Sequence, residues 1–83
     1  MSERSVRHVT FYRAEGCHLC EQALVVVRDA QAVVPFEVEV IDIVGDDRLE
    51  AEYRSFLPVI EIDGVRAFTY FVSTDALLDR LAG

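Results

Sequence analysis

His8-Val9-Thr10-Phe11-Tyr12, then Arg13-Ala14-Glu15-Gly16, then Cys17-His18-Leu19-Cys20: the fold of this chain turns on that stretch. Its first five residues are aromatic or β-branched and run on towards Gly16, the pattern of a strand that ends in a turn. From Cys17 to Val34 there is neither proline nor glycine. Within that segment Cys20, Ala23, Leu24, Val27 and Gln31 fall on one helical stripe, with Glu21, Arg28 and Asp29 elsewhere, so the spacing predicts a helix over residues 18–33. The run Val25-Val26-Val27 has poor helix propensity, and packing must hold it helical. Both cysteines therefore sit where a strand gives way to a helix.

The rest of the chain falls into place around this unit. Pro35 stops the helix, and Phe36-Glu37-Val38-Glu39-Val40 alternates into Ile41-Asp42-Ile43 as a second strand. Gly45-Asp46-Asp47 reads as a turn and a helix N-cap, with acidic side chains in the first turn. Leu49 and Tyr53 at i, i+4 then predict a short helix over residues 47–54. After Pro58, Val59-Ile60-Glu61-Ile62 and Val65-Arg66-Ala67-Phe68 flank Asp63-Gly64. Two apolar runs around Asp-Gly are a strong hairpin signal, because a type I′ turn needs positive φ at both positions. Ser73 or Thr74 caps a last helix with Asp75 in its first turn and Leu77, Leu78 and Leu81 as its buried stripe. The order β-α-β-α-β-β-α predicts an α/β fold: a four-stranded mixed sheet with helices on both faces. A right-handed crossover makes the first two strands parallel, and the final hairpin is antiparallel.

A chain of 83 residues has room for one core, so residues 1–83 are expected to form a single domain. Fifteen acidic residues against eight basic ones give a net charge of -7, without the clustered basic footprint that nucleic-acid binding needs. An apolar fraction of 52% supports a packed core. The stretch from Met1 to Val9 has no apolar h-region and does not read as a signal peptide. The longest apolar runs, such as residues 23–27, fall far short of the roughly 18–20 residues of a membrane span. The expectation is a soluble, cytoplasmic monomer with neither nucleic-acid nor membrane partners.

The cysteines carry the candidate chemistry. A disulfide closing so short a loop adds little chain-entropy stabilisation, and in a reducing compartment such a pair points to chemistry rather than scaffolding. Cys17 lies at the helix N-terminus, where free N–H groups and the helix dipole favour an anion. Its thiolate is expected to be stabilised relative to a free cysteine, whose pKa is about 8.5. Cys20, one turn in on the core side, can reach Cys17 while shielded from solvent. Cys17 is thus the candidate nucleophile and Cys20 the resolving thiol of a redox-active pair. Competing readings are an inert cysteine pair in a redox-silent interaction module, and a metal site drawing on His8 and His18, although a closed zinc site needs four ligands. His18 reads as a solvent-facing residue, and Leu57-Pro58 as the entry to a strand, with the residues alone favouring a trans bond.

Tyr12-Arg13-Ala14-Glu15-Gly16-Cys17-His18-Leu19-Cys20 after a strand, followed by Leu57-Pro58-Val59-Ile60 before Asp63-Gly64, resembles the glutaredoxin-like branch of the thioredoxin superfamily. The likeness is to its short bacterial members with a Cys-His-Leu-Cys site, and it covers nearly the whole chain. The resemblance implies a thioredoxin-like fold with sheet order β2-β1-β3-β4, a cis Pro58 facing the cysteine pair, and pairing of the Leu57 backbone with a thiol substrate. It implies a thiol–disulfide oxidoreductase acting on a protein disulfide or a low-molecular-weight thiol. No metal or organic cofactor is implied beyond a reductant, for which glutathione is one candidate. Thr74 and Asp75 match part of the family's site at the last helix and are candidate substrate contacts, as is Arg13, which adjoins Ala14, the residue that stands where characterised glutaredoxins carry a lysine. This chain has His18-Leu19 where they have Pro-Tyr, and Phe71-Val72-Ser73 where they have a Gly-Gly pair before the last helix, so glutathione is expected to bind weakly.

The remaining charges read as surface: Arg28 and Asp29 as a solvated helix face, Arg54 and Arg66 as solvated arginines. Phe68, Tyr70 and Phe71 read as sheet core or edge packing.

Overall fold

Period-two alternation sends Val9 and Phe11 to one face of the first strand and Tyr12 to the other. The computed structural model, which describes residues 6–83, builds its two cores on those faces. The sequence reading of Met1 to Val9 falls mostly on residues 1–5, outside the described residues. The elements in chain order are β1 (His8–Arg13), α1 (His18–Val33), β2 (Glu37–Asp42), α2 (Asp47–Tyr53), a 3-10 turn (Arg54–Phe56), β3 (Val59–Ile62), β4 (Val65–Thr69) and α3 (Thr74–Ala82). The sheet order is β2-β1-β3-β4. β1 and β2 are parallel, with His8 opposite Glu37 and Arg13 opposite Asp42. β3 runs antiparallel to both β1 and β4. The α/β arrangement and the strand order are those expected from the sequence.

On one face Val9, Phe11, Ile60 and Ile62 meet Cys20, Ala23, Val27 and Ala30 of α1 and Leu77 and Leu81 of α3. This larger core supplies the packing that keeps the valine-rich α1 helical. On the other face Val59, Ala14 and Ile43 pack with Tyr53 of α2. Tyr12 and Tyr53 stack there with centroids 3.9 Å apart, and the Tyr53 hydroxyl donates to Glu61 at 2.9 Å. Burial, and then its hydrogen bonds with Tyr12 and Glu61, push the Tyr53 hydroxyl well above the usual tyrosine range.

Local chemistry places the ends of these elements. Asp46 caps α2 by accepting from the N–H groups of Arg48 and Leu49, each at 3.1 Å. Ser73, the first of the two expected candidates, caps α3 through the Ala76 N–H at 3.1 Å. Asp63 and Gly64 both have positive φ, 51° and 83°, as the hairpin signal demands. The Asp63 carboxylate also accepts from the His8 N–H at 3.0 Å and pairs with Arg7 at 2.7 Å, tying the hairpin tip to the start of β1. The His8 backbone N–H, and then the Arg7 guanidinium, hold that carboxyl below its ordinary range against the opposing effect of desolvation. No helix of the described residues is long and apolar enough to cross a membrane.

Candidate active site

β1 is a central strand, and its carboxyl end delivers the cysteines. The chain turns at Glu15-Gly16, where Gly16 takes φ 82°, a conformation a side chain would strain. The Cys17 N–H closes this turn on the Ala14 carbonyl at 3.3 Å. Cys17 is the N-cap of α1: its backbone is extended and its Sγ accepts from the Cys20 N–H at 3.1 Å. Serine, threonine and aspartate make the same contact with an oxygen; here sulfur takes the place that stabilises negative charge. Cys17 and Cys20 are joined as a disulfide with their Cα atoms 5.2 Å apart. Cys17 is partly exposed, whereas Cys20 is 1% exposed and belongs to the main core. The His18 side chain is 89% exposed, 3.9 Å from Glu21.

The Leu57-Pro58 bond is cis, as the family resemblance implied and contrary to the trans form that the residues alone favour. Tyr12 pairs with Val59, so Pro58 lies beside the end of β1 that leads to Cys17. Pro58 is buried, and the Leu57 side chain packs against both cores. Thr69 also pairs with Val59, which brings the end of β4 and the start of α3 to this same end of the sheet. There the chain turns sharply. Tyr70 has φ 67°, and the Phe71 N–H reaches back to the Thr69 carbonyl at 2.7 Å, the bonding of a γ-turn. A non-glycine residue held in so sparsely populated a conformation costs about 1–3 kcal/mol. Beyond the turn, Tyr70, Phe71 and Val72 face Leu19, Gln22 and Val26 of α1 across a groove of about 160 Å³.

Cys17, Cys20, Leu57, Pro58 and the first turn of α3 are thus gathered at one end of the sheet. Thr74 and Asp75 are the first two residues of α3, behind a cap already occupied by Ser73. Arg13 is engaged elsewhere: its guanidinium donates to Asp42 at 2.8 Å, the residue opposite it in the parallel register. Arg54 is likewise held by Glu50, at 3.0 and 2.8 Å. Arg66 lies 5.4 Å from the Tyr53 ring centroid and 5.3 Å from that of Phe56. His8 sits on the far end of β1, near Glu37 and Glu39, and among the described residues no group of three or more His, Cys, Asp or Glu is placed to hold a metal ion. The expectation for the aromatic residues needs correcting at Phe71. Phe68 packs on the main core and Tyr70 packs at the sheet edge against Phe56, but Phe71 is 72% exposed. The γ-turn follows the end of β4 at Thr69, so Phe71 lies outside the sheet. Nothing in the residue types signals this, since no glycine marks the turn.

The model of the family described as Glutaredoxin-like domain (DUF836) matches residues 8–82. The chain belongs to this glutaredoxin-like family. Among solved structures, this glutaredoxin-like domain is similar to protein Ne2328 from Nitrosomonas europaea, with 30% identity, a TM-score of 0.78 and 96% of each chain covered. It is also similar to the protein XcR50 from X. campestris, at 26% identity and TM-score 0.77 over 89% of this chain and 95% of that one. Thioredoxin-2 of the malaria parasite superposes with a TM-score of 0.75 at 16% identity, over 98% of this chain and 85% of its own, and shares the fold. No curated protein matches the chain. A Cys17–Cys20 disulfide in a glutaredoxin-like thioredoxin fold supports a function of redox type.

Proposed function

We propose that this glutaredoxin-like domain is a thiol–disulfide oxidoreductase with Cys17 as nucleophile and Cys20 as resolving thiol. The observation that carries the reading is the cap itself: the Cys17 sulfur accepts the Cys20 N–H at a helix N-terminus, while Cys20 is buried. In the dithiol form the same donors favour the Cys17 thiolate, and a thiolate is the attacking species in disulfide exchange. The thiolate attacks one sulfur of a substrate disulfide, forming a mixed disulfide and expelling the other half as a thiolate that takes up a proton. Cys20 then gives up its proton and attacks the Cys17 sulfur, releasing the second half. Two electrons pass to the substrate, and the protein is left as the Cys17–Cys20 disulfide. A thiol reductant restores the dithiol, so no metal or organic cofactor enters the cycle. Leu57, ahead of Pro58, offers its backbone to the substrate, and the first turn of α3 at Thr74 and Asp75 borders it. The setting in this reading is a reducing compartment such as the cytoplasm, with a protein disulfide as the main substrate.

Limited iodoacetamide treatment of the reduced protein at neutral pH, followed by mass-spectrometric mapping, tests the division of roles. Cys17 is expected to be alkylated first; preferential labelling of Cys20 overturns the assignment.

Glutathione is expected to be a poor partner. Ala14 offers no charge, Val72 and Ser73 carry side chains where backbone approach would be close, and Arg13 and Arg54 already hold Asp42 and Glu50. The loss of one charge-assisted contact, about 1–3 kcal/mol, lowers affinity roughly ten- to a hundredfold. Reduction of a glutathione mixed disulfide, measured beside an ordinary glutaredoxin, should show that deficit. Equal turnover would mean that one arginine leaves its carboxylate for the ligand.

A further inference from the structure

Tyr70 is held at three points at this end of the sheet, and the cysteine chemistry does not account for its side-chain contacts. Its N–H donates to the Pro58 carbonyl at 3.0 Å. Its hydroxyl donates to the Ser55 carbonyl at 2.9 Å. Its ring lies against Phe56, with centroids 6.4 Å apart and planes at 52°. Residues 55, 56 and 58 are therefore all gripped by one side chain and its own backbone, and the residue they enclose is Leu57. Tyr70 makes these contacts at a positive φ of 67°. A γ-turn there directs the Tyr70 ring back over residues 55 and 56 while its N–H stays on Pro58. A glycine would adopt that turn without strain but could not reach Ser55 or Phe56. The leucine side chain is anchored below by both cores, so its main chain is fixed from two sides.

We propose that Tyr70 is a positioning residue: it holds the Leu57 main chain in the register that pairs with the backbone flanking a substrate cysteine. This rests on the oxidoreductase reading above, with its protein-disulfide substrate, and adds to it the residue on which main-chain binding of that substrate depends. A small disulfide without peptide groups gains nothing from Leu57, so Tyr70 should matter only for peptides.

The test is single-turnover oxidation of the pre-reduced protein by two probes. One is bis(2-hydroxyethyl) disulfide. The other is an acetylated hexapeptide whose cysteine is held as a mixed disulfide with 2-mercaptoethanol. Tyr70→Phe removes only the bond to Ser55. It should raise the half-saturating peptide concentration about three- to tenfold, the scale of one lost hydrogen bond, with the maximal rate and the rate on the small disulfide unchanged. Tyr70→Gly, which keeps the turn but loses the ring as well, should show at least that rise. A hexapeptide N-methylated at both residues flanking its cysteine should bind the unsubstituted protein more weakly, and Tyr70→Phe should lose less by the same methylation, because the two changes break one interaction. Equal peptide affinity in Tyr70→Phe, additive losses, or equal slowing on both probes overturns the positioning role. Failure of the unsubstituted protein to be oxidised by either probe overturns the oxidoreductase reading, and this proposal with it.

Discussion

On the proposed oxidoreductase reading, Cys17→Ser should abolish disulfide reduction, with a loss on the order of a thousandfold or more, because a serine hydroxyl at neutral pH is a far weaker nucleophile than a thiolate and no neighbouring base activates it. Cys20→Ser behaves differently. The first exchange should proceed, and the mixed disulfide on Cys17 should accumulate because nothing resolves it. Intact-mass measurement after addition of a peptide disulfide separates the two: an adduct on Cys20→Ser and none on Cys17→Ser. The asymmetry follows from burial, since Cys20 is 1% exposed and lies among Ala23, Val27 and Phe11 in the main core. An adduct on Cys17→Ser with none on Cys20→Ser would reverse the two roles.

The second large effect is on stability. Phe11 is fully buried on a central strand, opposite Val40 on one side and Ile60 on the other. It fills the space between the sheet and α1 and α3. Phe11→Ala should destabilise the protein by about 3–5 kcal/mol, combining the lost transfer energy with a cavity that the surrounding helices only partly close. The whole stability of an 83-residue chain is about 4–12 kcal/mol, so the variant is near the margin of folding at room temperature. Val65→Ala, at an exposed hairpin position, is the control and should change stability by less than about 0.5 kcal/mol. Urea denaturation of both variants checks the pair. A loss at Phe11 no larger than that at Val65 would show that the main core does not rest on this ring.

Much of this architecture was legible in the residues. The period-two run His8–Arg13, the helical stripe from Cys20 to Val27, and Asp63-Gly64 each encode a local structure with little ambiguity, and their order restricts the sheet to few topologies. What escaped was set by tertiary geometry. The short helix was expected to end at Arg54, but a 3-10 turn carries the chain on to Phe56. Leu57, the residue before a proline, is held extended at φ -62° and ψ 142°, so the helix must tighten and stop ahead of it. The partner of Arg13 could be named only once the parallel register had put Asp42 opposite. A shift of register between Ile60 and Glu61 leaves Ala67 between the paired residues Arg66 and Phe68, and no residue type announces it. The Tyr70 turn was hidden for a related reason. Positive φ in a tyrosine is imposed by its hydrogen bonds to Pro58 and Ser55, which lie 12 and 15 residues earlier in the chain.

β2 is the outer strand beside β1, and its unpaired side is a row of main-chain donors and acceptors open to a further strand. Glu37 and Glu39 stand exposed along that strand, with His8 of the neighbouring strand beside them, while Asp42 at its end is paired with Arg13. A second copy approaching edge to edge would set these carboxylates against their own kind. The strand that completes the sheet thus also guards it against growing, by a repulsion that weakens as salt screens it.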